Sequence, residues 1–272
     1  MSLLALSIWA LLERATAEEE KERALLSLFE GLSLNMNEGQ PGSVCVHGLC
    51  DKAPAGDGKD AWRSLGHLPD DMKTFEGSPE SRVFAASRKF GWGSVVVYAQ
   101  DGLTLDDEIT DDSDNLLFAQ NALAWLTPLE FKSGCAREIT ILAWDGTFSK
   151  LARMERVREF IARRGWVLKM AHPDTLEADL GCAAVLWYLS DWEPPAQFAD
   201  WHVGLIEEFV NGGGGLLVGG LGWSYAQQGG PGATAATVPY AADLLGKPFG
   251  FAFTRDAFES DSGTAITLQP GQ

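Results

Sequence analysis

Residues 198–223 read FADWHVGLIEEFVNGGGGLLVGGLGW, and this stretch decides the fold. Phe198, Trp201, Leu205, Phe209 and Val210 recur at helical spacing and mark one face of an amphipathic helix. That helix begins after Pro194-Pro195 and stops at Gly212, where glycine suits the left-handed turn that closes a helix. The Gly212–Gly215 run then enters a short, wholly apolar strand at 216–218. A strand without polar alternation must be covered on both faces, which is the condition of strands in parallel sheets. Because the glycine run precedes a strand instead of linking a strand to a helix, it is not a phosphate-binding loop.

Working upstream, the same alternation recurs. Residues 139–144 and 183–189 are further apolar strands, and 166–171 another. Between them Phe148, Leu151, Met154, Val157 and Ile161 stripe a helix that ends at Gly165. A helix is expected from about Asp114 to Leu126, with Ser113 or Asp114 as N-cap and Pro128 as its stop. Residues 83–87 and 94–99 form a hairpin joined through Lys89-Phe90-Gly91-Trp92-Gly93. A first strand at 43–47 follows a Gly/Pro-rich break at 37–42. Residues 51–81 show no sustained period and read as an irregular excursion. The fold class is therefore α/β, a mostly parallel, doubly wound sheet flanked by helices, with an antiparallel hairpin added. The expected organisation is an N-terminal helical segment over 1–36 and one α/β domain over 37–272.

The chain has 272 residues, 46% of them hydrophobic, and a formal charge of −17. That composition supports a sizeable core. The charge excludes nucleic acid as a partner, since phosphate binding needs clustered Lys and Arg. It also disfavours adsorption to anionic membranes. No apolar run reaches the ~18 residues of a membrane span, so no membrane insertion is expected. Residues 3–12 are apolar, but no basic region precedes them and Glu13 and Arg14 interrupt before Ala15-Thr16-Ala17. An amphipathic first helix is the preferred reading over a cleaved leader, and a cytoplasmic placement is favoured over export. Cys45 and Cys182 border apolar strands and read as small buried thiols. Cys45-Val46-His47-Gly48-Leu49-Cys50 lacks a fourth ligand at a recognisable spacing, so no metal is expected there.

Ligands of doubly wound sheets lie beyond the carboxyl ends of the strands. The three central strands deliver Trp144 and Asp145, then Asp191 and Trp192, then Gly220, Trp223 and Ser224 to that edge. Indoles beside a few polar groups suit a small-molecule or glycan pocket. The plainer role of both aspartates is helix capping.

Reaction chemistry is harder to place. A nucleophile elbow needs a reactive side chain on a tight turn between small neighbours. The position that would carry an amidotransferase thiol is Gly220, so no thioester can form. Gly222-Trp223-Ser224-Tyr225-Ala226 is a loose serine variant, but no histidine follows His202 to act as base. His-Glu-x-x-His is absent. The acidic run from Asp106 to Asp114 lacks the calcium-loop spacing and its glycine, and reads as a helix N-terminus with a solvated loop.

Three segments together resemble the N-terminal region of the TRP-channel-associated-factor proteins and their bacterial relatives, in which the region often precedes an enhancin-like, mucin-targeting metallopeptidase domain. They are Val83 to Ser87 continuing through Gly93 to Gly102, Asn115 to Leu126, and Glu208 to Trp223 with Gln227 and Gln228. Gln100 and Asp101 stand where the family carries His-Glu. The resemblance spans roughly residues 26–260. It implies a class I glutamine-amidotransferase-like fold, of the flavodoxin-like kind, whose nucleophile is already missing in the family, and a regulatory or binding role in place of turnover. The metallopeptidase half has no counterpart here.

The expected function is accordingly a non-catalytic amidotransferase-like binding domain, without a cofactor, for an unidentified protein, small-molecule or glycan partner. The competing expectation is a hydrolase acting on a glycan or amide with Asp145 and Asp191 as acid and base. That chemistry requires carboxylates ~5–9 Å apart.

Overall fold

The computed structural model describes residues 33–35, 44–46, 62–67, 83–99, 101–109, 114–128, 140–145, 150–189, 200–220, 240–254 and 265–267. Its strands are β1 (Ser33–Asn35), β2 (Val44–Val46), β3 (Arg63–His67), β4 (Val83–Phe90), β5 (Gly93–Ala99), β6 (Thr140–Asp145), β7 (Val167–Met170), β8 (Val185–Leu189), β9 (Gly215–Gly220), β10 (Phe251–Phe253) and β11 (Ala265–Thr267). The helices are α1 (Asn115–Leu126), α2 (Glu155–Arg163), α3 (Leu176–Cys182), α4 (Asp200–Asn211) and α5 (Ala241–Phe249).

The main sheet has the order β3-β4-β5-β9-β8-β6-β7. Strands β5, β9, β8, β6 and β7 pair in parallel, and β4 runs against both its neighbours. The protein is thus a mixed α/β fold with a mostly parallel sheet. Side chains of its central strands alternate between two cores. Val96, Tyr98, Trp187 and Leu217 join α1 and α2 on one face. Val95, Val97, Leu186, Tyr188, Leu216 and Val218 join α3, α4 and α5 on the other. Strands covered on both sides have no polar face to show, which is why they read as unbroken apolar runs.

The crossovers obey a single hand. The chain moves one way across the sheet from β5 to β6 to β7, and its helices α1 and α2 lie on the first face. It then returns from β7 to β8 to β9 with α3 and α4 on the second face. A reversal of direction must switch faces if every crossover has the same handedness, as twisted strands require.

Local stops follow the expected chemistry. Asp114 occupies the N-cap of α1, and Thr127 leaves the helix in an extended conformation (φ −74°, ψ 120°), as a residue before proline must. The Thr127 hydroxyl donates to the Leu123 carbonyl at 2.7 Å. Gly165 and Gly250 adopt positive φ of 71° and 76° after α2 and α5, the left-handed closure glycine permits. The β4–β5 hairpin turns on Gly91 and Trp92 alone, with Phe90 paired to Gly93, so both strands extend further into the joining segment than the sequence predicts.

Several expectations need correction. Ser33–Asn35, inside the stretch read as helical, is a strand that pairs antiparallel with β11 and packs near α1. Within the 51–81 excursion, Arg63–His67 is the edge strand of the main sheet. The strand near 43–47 pairs with β10, outside that sheet. Cys182 is exposed at the end of α3 and disulfide-bonded, not a buried thiol. The rest of residues 1–36, including the first-helix reading, lies outside the described residues. Among the described residues no helix is long and apolar enough to cross a membrane.

Candidate functional site

Strands β6 and β8 are parallel neighbours whose exits diverge. The segment after β6 leads to α2 on the first face, and the segment after β8 leads to α4 on the second. Two adjacent strands that send their chains to opposite faces open a crevice between their carboxyl ends, the switch point where doubly wound sheets bind ligands. Trp144 and Asp145 are the last two residues of β6 and pair in register with Tyr188 and Leu189 of β8. Leu189 in turn pairs with Gly219 of β9. Asp145 therefore lies in the same cross-strand row as Gly219, about 10 Å away across two strand spacings. Gly220 ends β9 beside Ala99 of β5. The structure thus brings Trp144, Asp145 and Gly220 to one edge. Asp191, Trp192, Trp223 and Ser224 lie outside the described residues, as does the Asp145–Asp191 separation.

One wall of this edge is a strap, residues 101–109, that leaves β5 and reaches the start of α2. Leu103, Leu105 and Ile109 are buried beneath it. The Asp106 carboxylate accepts from the backbone N–H of Glu155 at 2.7 Å and of Arg156 at 3.0 Å. The Asp106 N–H donates to the Arg153 carbonyl at 2.7 Å, and Arg153 pairs with Asp107. Two of the orphan amides at the N-terminus of α2 are thereby satisfied by a residue some fifty positions upstream in sequence. The Asp106–Asp114 run, expected to be a helix N-terminus with solvated loop, ends at the N-cap of α1 with Asp114, and its Asp106 caps a second, distant helix as well. Among the described residues no group of three or more His, Cys, Asp and Glu is placed to hold a metal ion.

The opposite side of the Gly220 end is closed by α5 and β10. Gly220 is a buried strand residue and is not among the described glycines with positive φ, so it does not sit on a strained elbow. Its lack of a side chain has another cause. A Cβ built there would collide with Cδ1, Cε1 and Cζ of Phe253. The Phe253 ring is held edge-on to Tyr240 at 6.0 Å and to Phe251 at 5.9 Å, and its N–H donates to the Asp243 carboxylate at 2.8 Å. The space that a side chain on Gly220 would need is occupied by an aromatic ring.

No family model matches the chain, and no curated protein matches it. Two solved structures are similar to it. One is IMPa from Pseudomonas aeruginosa in complex with an O-glycopeptide, at 15% identity and TM-score 0.49, covering 98% of this chain and 25% of that one. The other is the IMPa metallopeptidase from Pseudomonas aeruginosa, again at 15% identity and TM-score 0.49, covering 96% of this chain and 25% of that one. This chain spans about a quarter of the length of those proteins.

Two buried polar residues were not singled out by sequence reasoning. Lys150, 6% exposed, opens the 3-10 turn that follows β6 and packs near it. His202, 1% exposed, lies in the first turn of α4 with its ring stacked at 3.7 Å on that of Trp201. Both are buried polar residues close to the starts of elements that follow β6 and β8 in sequence. The spacing of Lys150 after Asp145 is visible in the sequence, but its burial is not. His202 carries no signal beyond falling on the apolar side of the helical stripe.

Proposed function

We propose that this chain is a non-catalytic, class I glutamine-amidotransferase-like binding domain whose ligand lodges in the crevice between the carboxyl ends of β6 and β8. The reading rests on one observation, the Phe253 ring seated where a nucleophile on Gly220 would project. A side chain cannot be added there without displacing a ring packed on two others, which supports a site without a nucleophile at that position. The strand order supports a crevice beyond the ends of β6 and β8, where Trp144 and Asp145 are the last residues of β6. Asp191, Trp192, Trp223 and Ser224 are assigned to the same rim, and the amidotransferase-like unit to residues 37–272 together with the β1 strand that pairs into it.

A ligand that binds the folded chain stabilises it by mass action, about 2.7 kcal/mol at a hundredfold excess over Kd. A thermal-shift panel of sugars, amino acids, nucleotides and Ca²⁺ tests the proposal without presuming turnover. At least one organic member is expected to raise Tm in the parent protein and to lose that effect in Asp145→Asn. The second reading, a hydrolase using Asp145 and Asp191, is favoured only by the place of Asp145 at the switch point. Steady release of product from a glycoside or amide by the parent, abolished in Asp145→Asn, would establish that reading and overturn the first.

A further inference from the structure

We propose that the outer edge of the main sheet, strand β7 with the cations around it, takes up an extended acidic segment of a partner protein as an added strand. β7 pairs with β6 on one side, and among the described residues no strand pairs with its other edge. Alternate residues of an edge strand turn their N–H and C=O groups outward, where a further strand can bond to them. The surface beside this edge runs against the charge of the chain. Residues 150–169 hold seven lysines and arginines against two glutamates, inside a protein of formal charge −17. Arg153 is paired with Asp107, and Arg163 with Glu159. Arg156, Arg158, Arg164 and Lys169 are exposed, and none of the four has a carboxylate partner among the described residues.

Two of these cations bracket the edge. The Arg164 guanidinium lies over the rings of Phe160 and Trp166, 5.4 and 5.8 Å from their centroids, and the two rings meet edge-on at 5.8 Å. A guanidinium already seated on aromatic rings gives up little freedom when its N–H groups take a carboxylate. Trp166 directly precedes β7, and it packs with Leu168 against the core beneath α1 and α2. Strand alternation puts Lys169 on the opposite face. An added strand presents successive side chains to those two faces, so adjacent acidic residues match it better than every second one. Met170, 56% exposed, offers an adaptable apolar contact on the face of Leu168.

The charges also decide among occupants. A second copy would bring two basic edges together, the like-charge guard that keeps exposed edges from pairing with themselves. β7 spans about 13 Å, and exposed charges are screened beyond about 8 Å at physiological ionic strength. A short acidic segment therefore meets the basic patch alone, whereas a nucleic acid would run on over the acidic remainder of the surface.

Fluorescence anisotropy of the full chain with a labelled peptide, Thr-Val-Asp-Glu-Val-Asp-Glu-Val-Thr, measures the binding. The parent should bind it, and added salt should weaken the complex. Lys169→Gln and Arg164→Gln should each lower affinity about two- to fivefold. Lys169→Glu should lower it further; this side chain is exposed and unpaired, so the change leaves the fold intact, as an unaltered Tm would certify. The same peptide with proline at each valine keeps its charge but loses ladder donors, and should bind about tenfold more weakly. Failure of the parent to bind overturns the proposal, as does equal binding by Lys169→Glu or equal binding of the proline peptide. Tighter binding of a single-stranded oligonucleotide of equal charge, or a parent dimer that Lys169→Glu abolishes, would assign the edge to another occupant and refute this one.

Discussion

Replacing Gly220 with alanine tests the filled position directly, because alanine adds the single carbon that the Phe253 ring excludes. For the ring to yield, it must leave its edge-on contacts with Tyr240 and Phe251. Each such contact is worth about 0.5–1.5 kcal/mol beyond burial, which agrees with the ~1–3 kcal/mol cost of overpacking a dense core. Against this, alanine recovers about 0.5–1 kcal/mol of backbone entropy that glycine forfeits in a strand. The net expectation is a loss of about 1–2 kcal/mol, or a fall of roughly 2–8 °C in Tm for a domain of this size.

The cycle is completed with Phe253→Val, which deletes the three colliding ring carbons while keeping a β-branched residue in β10. Alone it should cost about 3 kcal/mol, near the low end for removing a buried phenylalanine ring. In that background Gly220→Ala should become neutral or stabilise by up to about 1 kcal/mol, giving a coupling of about 1–3 kcal/mol. Urea unfolding of the four proteins measures it, with unchanged m-values certifying a common unfolded state. An alanine at 220 that is tolerated in the parent, or that costs the same in both backgrounds, refutes the claim that the ring occupies the nucleophile's place. Gly220→Cys carries the same β-carbon and should likewise destabilise; glutamine hydrolysis by that variant would overturn the non-catalytic reading.

Removing the Asp106 carboxylate as Asp106→Ala should destabilise by about 0.5–2 kcal/mol, the value of a helix cap, while Asp106→Asn keeps an acceptor and should lose less; chemical denaturation compares the two. Arg88 donates from its Nη1 to the Phe249 carbonyl at 2.8 Å and lies 5.6 Å from the ring centroids of both Trp62 and Phe90. Arg88→Met should cost about 1.5–3 kcal/mol through the lost charged hydrogen bond, and Arg88→Lys should recover only part because an ammonium lacks the planar fork. Equal stability of the two Arg88 variants and the parent would show the carbonyl to be satisfied without it.

The parallel core was legible because burial on both faces leaves unbroken apolar runs, and β5, β8 and β9 carry them. α3 was not, because only Leu176 and Leu180 of its seven residues are buried, too few to establish a period. α5 contains Gly246 and Pro248, which read locally as breakers, although Gly246 lies where a Cβ would strike the Phe251 carbonyl. The three-residue strands β1, β10 and β11 are set by partners far along the chain and carry no pattern of their own. The same limit applies to the site. Trp144, Asp145 and Gly220 could be assigned to one edge from strand ends alone. That β9 inserts between β5 and β8 depends on pairing, and that Phe253 covers Gly220 depends on a contact across thirty-three positions.

The reach of Asp106 to α2 also furnishes a built-in gauge. The amide hydrogens of Glu155 and Arg156 are held by a carboxylate on another segment, so they exchange with solvent only when the strap lifts away. The amides deeper in α2 are held within the helix and report its own unwinding. The ratio of the two exchange rates separates opening of the crevice wall from melting of the helix behind it, and a ligand in the crevice that grips the strap would slow the first without touching the second.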